Sequence, residues 1–537
     1  MPAFVSLNGI PAAIRSAIFH ARFRELLLWC APALIVGALA RGYLLFHFPY
    51  GCVHPDSADF LITADTFLRR HHLVLHGKKA FLAPILFMLP LLVRLPTLLV
   101  IPWAQHFFGL LFTLMIGELV RLWTTLWKVW IIPATIVATL NPAMLWYEHT
   151  LISESQYLWC VTALLLAGTI CAVWPGKWRF ALLLAALLLA AGSRPEGKLY
   201  VLFCLLVVAL IRWGTPKTRL LYAGLALVFC LLTWFSSRNT QAGVLLYATV
   251  LPLAPDVPKS APDFGPVIDP LRKERIASGA LVPTHLTGTE KKISPLVTRY
   301  LKSTHSRKTP GEFCQGLAVE AALHKPLLLP LIALNKFLAA VPYATAGDFG
   351  AYWMQQKQIE SCIYKDWMVR LMPRLAGSRL ANQPDVIAAT QKGKAADKSS
   401  PEFARLEQAV IAFVRQNYVP LGKGNPFDFL ENTWASMTTG ARIGGQQYGN
   451  MGVPGVPAFF LLAAAGMIVS ICRPGPLRRL HIAWVVTLGF VFTVVMLTGV
   501  LNSRYRFVFE PFCLLYIFAL LDFAAAFFVR GKAADPK

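Results

Sequence analysis

Of its 537 residues 56% are hydrophobic and only 15% charged, whereas a soluble domain averages about 25% charged. The chain is too apolar for a water-soluble globule and reads as an integral membrane protein. Its 51 Lys and Arg against 27 Asp and Glu give a net charge of +24, but these residues cap apolar runs or lie dispersed in one polar segment, which excludes an RNA or DNA binder.

In chain order, Arg15, Arg22 and Arg24 precede an apolar run at 26–46, long enough to stay as an anchor instead of a cleaved signal. Runs at 103–120, 129–147, 157–174, 220–235, 456–472, 482–501 and 507–529 meet or approach the roughly 20 residues that a span needs. Two shorter runs, 180–191 and 199–211, flank the turn Gly192 to Lys198. Neither arm crosses fully, so the turn is expected below the outer membrane surface, where irregular backbone must be covered by protein or water. The run 81–100 is apolar enough to span. Pro84, Pro90, Pro96 and the embedded Arg94 instead predict a broken helix in the interface.

Short basic loops at Arg121 and Lys128, Lys177 and Arg179, Arg212 to Arg219, and Arg473 to Arg479 should face the cytoplasm. They alternate consistently with about ten membrane helices and both termini inside, provided that 81–100 does not span. The expected organisation is a cytoplasmic N-terminus (1–25), an N-terminal transmembrane module (26–236) with a first external loop at 49–104, an extracytoplasmic domain (237–450), and C-terminal helices with a cytoplasmic tail (451–537). Within the external domain, 313–343 reads as helices resting on the membrane surface, and 377–399 as a mobile loop. Ser400, Pro401 and Glu402 supply cap, first-turn proline and acidic first turn for a helix to Asn417, with Phe403, Leu406, Val410 and Val414 on one face. The fold class is thus an all-α polytopic membrane protein with interfacial helices and a mostly helical extracytoplasmic domain. The ten cysteines lie mostly inside apolar runs. Cys314 and Cys362 could pair if their side is oxidising. No Cys/His spacing calls for a metal, and a divalent ion is left open.

The residues able to carry chemistry all fall on the external side. Asp56 and Asp59 follow the first span, ahead of an amphipathic stretch at 60–68. A partly desolvated carboxylate there is placed to accept a proton from a hydroxyl, although Asp56 or Ser57 could equally cap the next helix. Arg194, Glu196 and Lys198 sit between the short arms, where charges are costly and usually line a wet site. An internal Arg194–Glu196 pair is the plainer reading. Glu148, His149 and Glu154 bracket a helix exit and the next helix start, and Glu154 also suits a first turn by the macrodipole alone. Arg504 and Arg506 open the last helix, opposing its dipole, which favours an anionic partner over helix stability; interfacial snorkelling is the alternative. Lys78 and Lys79 add cations, with His71, His72 and His76 as headgroup contacts.

These segments resemble the polytopic GT-C glycosyltransferases that use lipid-linked sugars, the family-39-like group related to protein mannosyltransferases and aminoarabinose transferases. The likeness runs over roughly the first half: Pro55 to Ser57, His76 to Pro84, Asn141 to Ser155, then Ser193 to Gly197, with Arg504 to Pro511 at the close. It implies a GT-C-like fold in a bacterial inner membrane, with the active site facing the periplasm or exterior. It implies an inverting transfer from a polyprenyl-phosphate-linked sugar donor to an acceptor it does not name, with Asp56 as base and Asp59 or Glu154 as further candidates. Ser57 stands where many relatives have a second acid. Lys78, Lys79, Arg194, Arg504 and Arg506 would meet the phosphate. The competing expectation is a transporter or flippase of a lipid-linked glycan, which would need charged lining residues on both halves of its pathway.

Overall fold

The computed structural model describes residues 12–53, 57–70, 80–211, 214–235, 240–277, 286–340, 366–390, 397–418, 425–437, 442–443, 456–498 and 507–533. Among them the only strands are the two-residue antiparallel pair β1 (Arg442–Ile443) and β2 (Val456–Pro457).

The first half begins with α1 (Ala12–His47) and α2 (Ser57–Arg70), the latter burying Phe60, Leu61 and Ala64 on one face. The run at 81–100 is broken, as its prolines predict. α3 (Leu82–Leu92) ends at Val93, Arg94 takes a left-handed φ of 57°, and Pro96 caps α4 (Thr97–Trp123). Pro96 bars Leu95 from helical geometry, so the tail of that run, from Thr97, belongs to the long helix instead of the interface. The single run expected at 129–147 is two helices, α5 (Trp127–Thr139) and α6 (Pro142–His149), bent by 46°. Pro142 cannot donate into α5, and Asn141 starts α6 by accepting from Met144 N at 3.1 Å. Then come α7 (Glu154–Val173), α8 (Lys177–Ser193), the 3-10 turn Pro195–Tyr200, α9 (Val201–Leu210) and α10 (Pro216–Phe235), so the two short arms and their turn are present, with α10 against both.

The long segment contains α11 (Thr240–Val250), α12 (Gly265–Ala277), α13 (Leu286–Ser303), α14 (Pro310–His324), α15 (Leu329–Ala340), α16 (Asp366–Ala376), α17 (Ser378–Ala381), α18 (Pro384–Thr390), α19 (Pro401–Asn417) and α20 (Pro426–Ala435). The chain closes with α21 (Ala458–Cys472), α22 (Arg478–Thr498) and α23 (Glu510–Ala533). Three expectations are corrected here. α14 and α15 do not simply rest on a surface: they bend by 98° and are together apolar enough to count as a broken span, and α15 packs along α22. Within 377–399, expected as a loop, α17 and α18 form and pack on α19, while 391–396 lie outside the described residues. Cys314 is a free thiol in the core between α14 and its neighbours, and Cys362 lies outside the described residues. The capped helix at 401–417 stands as read, with Ser400 Oγ accepting from Phe403 N at 3.1 Å and Phe403, Leu406, Val410 and Val414 buried.

Five helices are long and apolar enough to cross a membrane, in α1, α4, α7, α22 and α23, or up to seven if the α5–α6 and α14–α15 pairs each count once. This multi-pass bundle has fewer full-length spans among the described residues than the ten helices expected: the run at 129–147 is divided at Pro142, the arms α8 and α9 are short, and α21 has 15 residues. A second core, separate from that of the bundle, is shared by α2, α3, the start of α4 and α16 to α19.

Candidate functional site

Two buried ionic networks form where the first-loop backbone meets the segment between α6 and α7. In the first, Arg41 of α1 grips Glu148 at the end of α6 through both carboxylate oxygens, Nε–Oε2 and Nη2–Oε1 each 2.8 Å. The free Nη1 donates to the Thr139 hydroxyl at 3.0 Å and to the Gly37 and Thr139 carbonyls at 3.2 Å. The planar guanidinium fork suits this two-point grip, and both ions are removed from water. Two glycines make the room. A Cβ on Gly109 would collide with the Glu148 carboxylate, and one on Gly37 with the Thr139 hydroxyl.

A histidine relay continues from Glu148. His106 Nδ1 lies 2.9 Å from Glu148 Oε2, His106 Nε2 lies 3.1 Å from His149 Nδ1, and His149 Nε2 lies 3.2 Å from the Tyr50 carbonyl. Both ends of the relay are acceptors, so its three contacts need three protons, and two neutral imidazoles carry two. With both rings neutral, one of the three contacts is left without a proton. The relay ends at the first-loop backbone, which is stitched to this segment by Cys52 N to His149 O and Leu151 N to Cys52 O, each 2.9 Å. From the other side Tyr418 donates its hydroxyl to the Gly51 carbonyl at 3.1 Å. Burial pushes that phenol well above its ordinary pKa of 10, keeping it a donor.

The second network joins two of the sequence motifs. Arg194 follows α8 in extended conformation, and Pro195 starts the 3-10 turn. Gly197 is required there, since a Cβ would strike the Ala190 carbonyl. Arg194 Nη1 lies 2.6 Å from Glu154 Oε1 in the first turn of α7, and Arg194 Nε lies 3.2 Å from Glu196 Oε2. Both plain readings of these residues are therefore present: Glu154 occupies a helix first turn, and Arg194 pairs with Glu196. The guanidinium also lies 5.8 Å from the centre of the Tyr157 ring. Lys198 is buried in the same turn.

An apolar groove of about 470 Å³ runs between α3, α4 and α7. Leu89, Pro90, Val93 and Leu95 form one wall and Ile101, Gln105 and Phe108 another, with Gln156 and Trp159 on α7. Phe108 and Trp159 stack at 5.2 Å. Gln156 Oε1 and Trp159 Nε1 are buried without a hydrogen-bond partner among the described residues. The groove begins two residues after Glu154 on α7, and Phe81, at the head of α3, covers Gly192 next to the Arg194 turn.

Of the sequence-predicted site residues, Glu148 and His149 enter the first network and Glu154, Arg194 and Glu196 the second. Asp59 is half-buried in the first turn of α2. Asp56, Lys78, Lys79, Arg504 and Arg506 lie outside the described residues, which resume at Ser57 after Val53. Sequence reasoning missed Arg41 and His106, although each interrupts an apolar run, which is itself a signal. It also missed Lys336, which is buried with Nζ 3.2 Å from Thr249 Oγ1, and Asp522, buried at the other end of the bundle. The unusual charges are therefore not confined to one end. Among the described residues no group of His, Cys, Asp and Glu could hold a metal ion. No family model, curated protein or solved structure matches the chain.

Proposed function

We propose that the chain is an inverting membrane glycosyltransferase of the GT-C type, moving a sugar from a polyprenyl-phosphate donor to an extracytoplasmic acceptor that is a lipid, glycan or protein. One combination carries the reading: a buried carboxylate–guanidinium cluster, Glu154–Arg194–Glu196, at the start of α7, and an apolar groove between α3, α4 and α7 whose α7 wall is Gln156 and Trp159. An isoprenoid chain needs such a groove, and a sugar needs fixed acceptors and donors at its end. The first-loop backbone is fastened to the segment leading into Glu154, and in this scheme Asp56, three residues beyond Val53 in the sequence, acts as base. Inverting transfer asks for one base. The phosphate departs without a general acid if cations meet its growing charge, unlike the poor alkoxide leaving group of sugar hydrolysis. Arg194 already engages two carboxylates, so its role in this scheme is to orient them, and the phosphate falls to Lys78, Lys79, Arg504 and Arg506.

The test is transfer from a polyprenyl-phosphate sugar by purified protein. Asp56→Asn is expected to lower turnover by about 10²–10⁴-fold, the usual contribution of a general base, with an unchanged melting temperature. Full activity in that variant would remove Asp56 from the reaction. A second reading, a flippase of a lipid-linked glycan, draws on a cavity at the far ends of α4 and α7 that is lined by Arg22, Arg121, Lys128, Arg473 and Arg478. It predicts movement of lipid-linked glycan across a sealed vesicle with no sugar transfer in detergent.

A further inference from the structure

The far ends of α4 and α7 enclose a second cavity, of about 350 Å³, within the range of roughly 300–1,000 Å³ usual for ligand sites. Its wall is built from the N-terminal part of α1, the ends of α4, α7 and α21, the starts of α5 and α22, and Ala519 of α23. Cations outnumber their partners there. Arg121 is held by Glu118 at 2.6 and 2.7 Å, and Lys128 by Glu25 at 3.5 Å. Arg473 is 3.4 Å from Asp522, whose oxygens also accept from Thr125 N and Oγ1 and from Leu126 N at 2.7–3.0 Å. Arg22 and Arg478 have no carboxylate partner among the described residues. The Arg22 guanidinium lies 6.0 Å from the Trp174 ring centre, and Arg478 Nε donates to the Ile471 carbonyl at 3.0 Å.

Arg478 and Arg479 also open the 21-residue helix α22. Two cations oppose the positive end of its macrodipole, and an anion seated among Arg22, Arg473, Arg478 and that helix end would relieve both the repulsion and the unmatched charge. Guanidinium forks favour tetrahedral oxyanions with several acceptor oxygens. Trp123, Trp127 and Trp174 give the cavity apolar walls beneath its cations, the mixture that suits a headgroup at a membrane–water boundary.

We propose that this cavity is a binding site for a phosphate-bearing anion, either the phosphodiester of an anionic membrane lipid or a soluble phosphate compound. The site is separate from the Glu154–Arg194 cluster, and the proposal does not depend on the chemistry performed there.

The experiment titrates the full chain in zwitterionic detergent with short-chain phosphatidylglycerol, with short-chain phosphatidylcholine as control, and separately with inorganic pyrophosphate. Emission of the cavity tryptophans and ligand-induced rise in melting temperature are both read. Wild-type protein is expected to bind phosphatidylglycerol or pyrophosphate and not phosphatidylcholine, and the preferred anion identifies the source as lipid or soluble. Arg22→Gln with Arg478→Gln should weaken that anion by about tenfold or more, the worth of at least one charge-assisted hydrogen bond. Lys217→Gln with Arg219→Gln removes the same charge from the start of α10 and should leave the affinity within twofold. No saturable binding of either anion by wild-type protein, or equal weakening in the two double variants, overturns the site. The wild-type titration decides even if the cavity variant fails to fold.

Discussion

At the scale of single residues the energetics concentrate in Arg41 and Glu148. Each ion alone in this apolar setting would be costly, and together they share two hydrogen bonds plus the backbone and hydroxyl acceptors around Nη1. Arg41→Met is therefore expected to destabilise by about 3–5 kcal/mol, because it strands the Glu148 charge. Arg41→Met combined with Glu148→Leu should recover most of that loss. Thermal unfolding in detergent, arranged as a double-mutant cycle, reads the coupling, and a neutral Arg41→Met single variant would contradict it. What the sequence does not reveal is the pairing, for a physical reason: Arg41 is marked only as a charge interrupting an apolar run, and its partner lies 107 residues away on a different helix. Glu148, His149, Glu154, Arg194 and Glu196 were legible because turns and helix ends already mark them as exceptions to burial, but which of them pair was not.

At the scale of elements, legibility followed how local the governing signal is. The Ser400 cap and Pro401 of α19, and the break at Arg94 to Pro96, are fixed by neighbours in sequence, and both are found where the residue chemistry places them. The packing of α15 on α22 is set by contacts with distant helices, which an alternation of apolar with basic residues at 313–343 does not reveal. α19 also has a task in the site, since Tyr418 at its end reaches the Gly51 carbonyl and so braces the loop that leads to Asp56. Tyr418→Phe keeps the buried ring but leaves that carbonyl without its donor, an expected loss of about 1–3 kcal/mol. Hydrogen exchange should quicken at the amides of Gly51 and Cys52 while α19 itself stays protected. Unchanged exchange at those amides would mean that the bonds to Leu98 and His149 hold the loop unaided.

At the scale of the molecule, α4 and α7 connect two chemically different ends. Along α4 the groove at Val100 and the basic cavity at Leu122 are separated by about 30 Å at 1.5 Å per residue, the thickness of a bilayer's hydrocarbon core. The carboxylate-rich networks and the second core with α19 adjoin one end. Arg121, Lys128, Arg473 and Arg478 gather at the other, which the positive-inside bias assigns to the cytoplasm. The native thiols allow a direct check, because Cys472 is exposed at the end of α21 beside that cavity and Gln408 is exposed on α19. With the other cysteines replaced, Cys472 in intact cells should resist a membrane-impermeant maleimide until the membrane is opened. Gln408→Cys, in a chain also carrying Cys472→Ser, should react at once from outside. The opposite pattern would invert the molecule and place the Glu154–Arg194 cluster toward the cytosol. Reaction of both from the same side would mean that the two ends of α4 do not face opposite compartments.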